Sequence, residues 1–206
     1  MTESLATAKP ASLAPRRSYS AQVLREVFLR WGARVGLAWI LVLVGVSVFA
    51  PFIATSHPLL LSEGGRLFSP ALRHLTPADV TIMAVFLAAV AVLFWRVAFR
   101  KRLAVVLGVL ALSATLSYSL ITPPSLVIFE QYREAEAAGQ YDWVWRAPIP
   151  YSPKDYLRDF GDTGLEAPLE SAERRHWLGT EENGADVLSR MIHASRIALA
   201  IGFIAT

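Results

Sequence analysis

The sequence predicts an all-α integral membrane protein with three transmembrane helices, an external segment carrying short helices, and the start of a fourth transmembrane helix. Three observations predict it. The 206 residues are 54% hydrophobic and only 18% charged, with a mean hydropathy of +0.40, whereas soluble domains carry about 25% charged residues. The apolar residues are clustered in runs that approach the roughly 20 residues needed to cross a bilayer. The runs are separated by flanks whose Lys and Arg content alternates along the chain.

The first run is Val35 to Ile53, preceded by a basic stretch (1–34) holding Lys9, Arg16, Arg17, Arg25, Arg30 and Arg34 against Glu3 and Glu26. A secretory signal is the competing reading, with Val48-Phe49-Ala50 as its cleavage site. The apolar run is longer than an h-region, and Pro51 follows the site directly. The second and third runs, Val80 to Val97 and Leu103 to Ile121, form a hairpin (80–121) around Arg96, Arg100, Lys101 and Arg102, with no acidic residue between them. Excess Lys and Arg marks cytoplasmic flanks, so the N-terminus and the hairpin turn are expected inside. The loop 54–79 and the segment 122–195 are then expected outside. The pI of about 9.4 reflects those flanks and gives no reason to expect a nucleic-acid surface.

Local signals place the helix starts. Thr76-Pro77-Ala78-Asp79 reads as a capping box with Pro at the first helical position. Ser152-Pro153-Lys154-Asp155 repeats that grammar and predicts a short helix through Phe160, ending at Gly161. Glu130 to Gly139 reads as another, closed by its glycine. The stretch Tyr141 to Pro153, rich in Tyr, Trp and Pro, shows neither strand nor helix period. It reads as an interfacial aromatic belt in preference to a peptide-contacting or binding-protein-contacting surface. Acidic residues predominate in the external segment, which suits a solvated face or a cationic ligand.

In the last helix Thr180 is the expected N-cap, with Glu181 and Glu182 at its positive end. Val187, Leu188, Met191, Ala194 and Ser195 form an apolar face suited to a membrane surface or neighbouring helices. Asp186, Arg190 and His193 form another, where Asp186 and Arg190 read either as a surface i,i+4 pair or as a fixture against a partner subunit. An apolar run begins at Ile197 and reaches only half a span by Thr206, so the chain is expected to be the N-terminal portion of a longer polytopic protein. Glycines at 32, 36, 45 and 108 are expected to allow close helix packing.

Chemistry-bearing motifs are few. No Cys is present, so no disulfide is possible. His57, His74, His176 and His193 include no i,i+4 pair suited to a helical zinc site. There is no Walker A sequence and no nucleophile elbow, so neither an enzyme nor a cofactor is expected.

The run from His176 to Thr206, HWLGTEENGADVLSRMIHASRIALAIGFIAT, resembles the segment that precedes the core transmembrane domain in oligopeptide/dipeptide/nickel permeases of ABC importers, in particular the OppC/DppC-like subunit. His176, Leu178, Gly179, Thr180, Gly184, Asp186, Val187, Ser189, Arg190, Ile192, Arg196, Ile197 and Leu199 match the family's pattern. Glu181, Ala185, His193, Ala194 and Ser195 depart from it, Ala185 standing where that pattern has Arg. Ala50-Pro51-Phe52-Ile53 also looks like the family's N-terminal region, and the hairpin 80–121 looks like an insertion. Two added spans leave the motif on the outer side.

The resemblance implies a type I importer permease in a bacterial inner membrane, with residues 196–206 beginning its core domain. It implies a second permease subunit, two cytoplasmic ATPases and an extracytoplasmic binding protein as partners, besides membrane lipid. The ligand it implies is a peptide or nickel, and the ATPase-coupling loop would lie beyond Thr206. Gly179, Thr180, Gly184, Asp186, Ser189, Arg190 and Arg196 are the motif residues it singles out. The alternative reading is a membrane-anchored structural or sensor protein with an external aromatic-rich domain. For the orientation, Cys placed at Arg100 is expected to resist an impermeant thiol reagent and Cys placed at Tyr151 to react.

Overall fold

The computed structural model describes residues 26, 28–122, 129–156, 164–170 and 175–205. The chain divides into two compact units, Met1–Val42 and Leu43–Thr206. In the first, Arg34 turns back to donate from Nε to the Phe28 carbonyl at 2.8 Å and from its second guanidinium nitrogen to that of Leu29 at 3.1 Å. Those groups lie ahead of helix α1, Trp31–Val48.

The second unit continues from the end of α1 through a short helix α2 (Ala50–Ile53), strands β1 (Leu60–Glu63) and β2 (Arg66–Phe68), and a one-turn helix α3 (Pro70–Arg73). The antiparallel pair α4 (Pro77–Phe94) and α5 (Phe99–Leu120) follows, then α6 (Glu130–Ala137), strand β3 (Trp143–Trp145) and the last helix α7 (Val187–Ile204). Helices α1, α4 and α5 are long and apolar enough to cross a membrane, and they match the three expected runs with starts about a turn earlier.

The predicted helix signals at 76–79 and 130–139 hold. Thr76 Oγ1 accepts from the Asp79 amide while the Asp79 carboxylate accepts from the Thr76 amide at 2.9 Å, a reciprocal cap that satisfies two otherwise orphaned donors. Gly139, at φ 68°, ends α6. Thr81 and Ser117 share a buried hydroxyl hydrogen bond of 3.0 Å that ties α4 to α5. Arg102 closes their connection by donating to the Trp95 and Val97 carbonyls at 2.7 and 3.1 Å. The basic side chain that suggested a cytoplasmic turn is therefore also the group that caps it.

Two expectations need correction. The chain is not all-α: β1 is the centre of a three-stranded antiparallel sheet in the order β2-β1-β3. Strands β1 and β2 meet at Gly64 and Gly65, both at positive φ (55° and 76°), as a two-residue hairpin turn of the primed type requires. Strand β3 comes from the aromatic stretch expected to have no regular structure, and its Trp143 pairs with Ser62. Within the described residues a Cβ at Gly32, Gly36, Gly45 or Gly108 would meet nothing within 4 Å, which leaves those positions open to a neighbouring helix. At 152–155 the chain makes a turn, with the Asp155 amide bonded to the Ser152 carbonyl at 3.1 Å; the rest of the helix expected through Phe160 lies outside the described residues.

A small core joins the end of the first span to the last helix. Ala50, Ala54, Ile149, Tyr151 and Ile192 are buried together, with Val46, Ile53 and Leu188 packed on them. Residue 149 is stitched to the span end by a parallel bridge, the Thr55 amide donating to Ile149 and the Ile149 amide to Ile53 at 3.1 and 3.0 Å. Tyr151 is only 7% exposed, which makes it a poor labelling site. Cys at exposed Gln140 is the better outer probe: it should react with an impermeant maleimide in intact spheroplasts while Cys at Arg100 reacts only after permeabilisation. The reverse pattern would overturn the expected orientation.

Candidate functional site

The matched run folds into a tight turn followed by α7, and its His176, Thr180, Asp186 and Ser189 are buried. Asp186, not Thr180, caps α7: its Oδ1 accepts from the Ser189 amide at 2.7 Å. Its other carboxylate oxygen accepts from His176 Nδ1 at 2.9 Å. That contact fixes the proton on Nδ1, because a carboxylate can only accept. His176 and Ser189 are fully buried and Asp186 is 1% exposed. The His176 ring also lies 4.1 Å from that of Tyr151, centroid to centroid, so the cap is joined to the core. The carboxylate has a second advantage there, since negative charge is favoured at a helix N-terminus.

Thr180 has a different task. It bridges Asp186 as an antiparallel pair, and its hydroxyl donates to the Gly164 carbonyl at 2.7 Å while accepting from the Glu166 amide at 2.8 Å. Glu181 and Glu182 therefore sit in the turn before the helix and not in its first turn. The turn needs its glycines. Gly179 and Gly184 have φ of 75° and 79°, and a Cβ on Gly179 would overlap the Glu166 carbonyl oxygen. Ala185, where the family pattern has Arg, is completely buried.

Asp186 and Arg190 do not pair with each other. Arg190 forms an ion pair with Glu181, donates from Nε to the Pro153 carbonyl at 3.2 Å, and lies 5.8 Å over the Tyr156 ring. The buried side of α7 is the one that carries Asp186, Ser189, Ile192, His193 and Arg196, whereas Met191 and Ala194 of the expected apolar face are exposed. Leu188 alone of that face packs on the core. His193 Nε2 donates to the Ala54 carbonyl at 3.0 Å.

Arg196 stands where the span end, α4 and α7 meet. Pro51 has no N–H, so the Ser47 carbonyl four residues earlier has no helical donor. Arg196 Nε supplies one at 2.7 Å. A second guanidinium nitrogen reaches the Val48 carbonyl at 3.4 Å, and the third bonds the Asp79 carboxylate of the α4 capping box. The two side chains are 17% and 8% exposed. Local sequence signals could not have found this pair, which is 117 positions apart, although Pro51 marks the freed carbonyl.

Beneath lies a cavity of about 190 Å³ lined by His57, His74, Asp79, Phe129 and His193 among others. The His57 and His74 rings stack with centroids 3.9 Å apart, and Tyr132 meets His57 edge-on. Burial, and then the neighbouring His74, lowers the His57 pKa to about 4. Among the described residues no three His, Asp or Glu side chains come together in a way that could hold a metal ion.

Comparison with known proteins places this geometry. Over 63 residues, 29% of the chain, it is 46% identical to the di/tripeptide transport system permease protein DppC of Pseudomonas aeruginosa (strain UCBPP-PA14), matching 18% of that protein. Over 174 residues, 82% of the chain, it is 27% identical to the inner membrane ABC transporter permease protein YejE of Escherichia coli (strain K12), matching 37% of it. The chain thus spans well under half the length of these relatives. No family model matches it, and no solved structure does. The resemblance read in the sequence is upheld: the chain is similar to dipeptide/oligopeptide-type ABC permeases, and with its three apolar helices this points to a multi-pass inner-membrane protein.

Two outcomes follow from the geometry. Asp186→Ala should remove a cap worth about 1 kcal/mol and strand the buried His176 donor at a further cost of about 1–3 kcal/mol. Amide hydrogen exchange at Ser189 should accelerate, whereas Thr180→Ala should loosen 164–166 and leave Ser189 protected; the opposite pattern would restore Thr180 as the cap. His57 binds a proton more readily unfolded (pKa about 6.5) than folded (about 4). Its contribution to stability is complete above pH 6.5 and is lost as pH falls toward 4, by about 3 kcal/mol in total. Thermal unfolding across that window should be less pH-dependent in His57→Gln than in the parent.

Proposed function

We propose, from its similarity to ABC permeases, that the chain forms part of the permease of an ATP-driven importer for peptides. The observation that carries this reading is the 46% identity over 63 residues to a di/tripeptide permease. The turn and cap at 176–189 support it, because they give the matched residues a common task. Gly179 and Gly184 shape the turn, Thr180 locks it, Asp186 and Ser189 begin the helix, and Arg190 and Arg196 fix it to neighbouring segments. In this reading α7 continues inward as the first span of a type I permease core. Its outer end is held by the motif at a set position against the first span.

The importer would comprise a second permease subunit, two cytoplasmic ATPases and an extracytoplasmic binding protein, with the N-terminus of this chain inside. Its role in this reading is passage. The hairpin α4–α5 is an addition to the permease plan, bound to the motif helix through Asp79.

Uptake of radiolabelled di- and tripeptides tests the proposal. Deleting the gene should abolish or sharply reduce uptake, re-expression should restore it, and Arg196→Ala should restore it poorly at equal protein level. Peptide uptake that is unchanged on deletion, with loss of nickel uptake instead, would move the ligand to nickel; no change in either would sink the importer reading.

A further inference from the structure

The sheet has one face whose flanking side chains are left largely uncovered by the described residues. Register puts Leu67 and Trp143 beside Ser62, and Trp145 beside Leu60. Residues two apart on a strand share a face, so Leu67, Trp143 and Trp145 lie on the side opposite Leu61. Leu61 is completely buried, while Leu67, Trp143 and Trp145 are 65%, 46% and 60% exposed. Two neighbouring indoles and a leucine held outward on a rigid sheet make a platform with amphipathic rings, the composition found where protein meets lipid headgroups.

The tether sets the depth of that platform. Ile149 is bonded to Ile53, just past the end of α1, and the Leu59 amide donates to the Trp145 carbonyl at 2.9 Å. Trp145 is four residues from Ile149, so it lies within about 14 Å of Ile149 even if fully extended, and Ile149 is one bridge from Ile53. The headgroup layer is roughly 5–8 Å thick on each side, and an indole reaches several ångströms further. We infer that the face formed by Leu67, Trp143 and Trp145 docks on the outer headgroup layer of the membrane. This rests on the reading that α1, α4 and α5 cross a bilayer.

The chain has no Cys, so single nitroxide labels can be placed at will. Trp143→Cys, Trp145→Cys and, on the same face with a smaller change, Leu67→Cys should be labelled in the full protein in phosphatidylcholine/phosphatidylglycerol nanodiscs. Gln140→Cys serves as an aqueous reference and Trp39→Cys, midway along α1, as a membrane reference. The inference expects the three platform labels to show an oxygen-to-nickel-complex accessibility ratio several-fold above that at Gln140 and below that at Trp39. Platform labels as open to the aqueous nickel complex as Gln140, with Trp39 in lipid, would overturn the docking and leave the spans intact. Labels shielded from both reagents would overturn it in favour of a protein contact. An aqueous Trp39 would instead overturn the membrane reading itself. Should the Trp variants not fold, quenching of the native Trp fluorescence by lipids brominated near the headgroup, compared between the parent and Leu67→Cys labelled with a bulky polar group, reads the same contact: no loss of quenching on labelling overturns it.

Discussion

The guanidinium of Arg196 is the constraint on which the junction of α1, α4 and α7 depends. A proline at position 51 leaves the Ser47 carbonyl without a helical donor, and Arg196 takes it, together with the Val48 carbonyl and the Asp79 carboxylate. A helix C-terminus presents partial negative charge, so a cation is favoured there. Its own charge, largely out of water, needs a counter-ion, and Asp79 supplies it. Because Asp79 is also half of the α4 capping box, one residue joins the end of the first span, the start of the hairpin and the last helix.

The remaining polar groups repeat that logic. Asp186 satisfies the first turn of α7 and holds His176, which lies against Tyr151. Arg133 lies over the same Tyr151 ring at 5.7 Å and pairs with buried Asp155, which accepts from Ser56. Ser56 and Ser152 exchange amide-to-hydroxyl bonds of 2.9 and 2.7 Å. A unit with a small apolar core thus gains its definite shape from buried hydrogen bonds between segments distant in sequence. Each is costly to break because the partner left behind has no access to water.

What the sequence disclosed and what it hid divide on the same line. The spans were legible because hydropathy is local, and the Thr76–Asp79 cap and Gly139 stop were legible because their partners lie within three or four residues. The strands were not. They are three and four residues long, too short to display a period, and Trp143 to Trp145 becomes a strand only by pairing with β1. Which polar residues of the helix are buried within the chain was hidden for a related reason. Periodicity groups Asp186, Arg190 and His193 on one face but cannot name their partners, and Asp186, His193 and Arg196 find theirs in other segments. The motif residues lie together in the turn and the start of α7, and their individual tasks, Thr180 locking the turn and Asp186 capping the helix, required the geometry.

The central claim is that Arg196 and Asp79 act as one unit that fastens the hairpin and the last helix to the end of the first span. A double-mutant cycle on thermal stability in lipid nanodiscs, using Asp79→Asn, Arg196→Gln and the double variant, measures that directly. Each single change should cost about 3–5 kcal/mol by leaving a buried charge unpaired. The double variant should be less damaged than the sum by at least about 1 kcal/mol. Strict additivity of the two single effects would contradict the account.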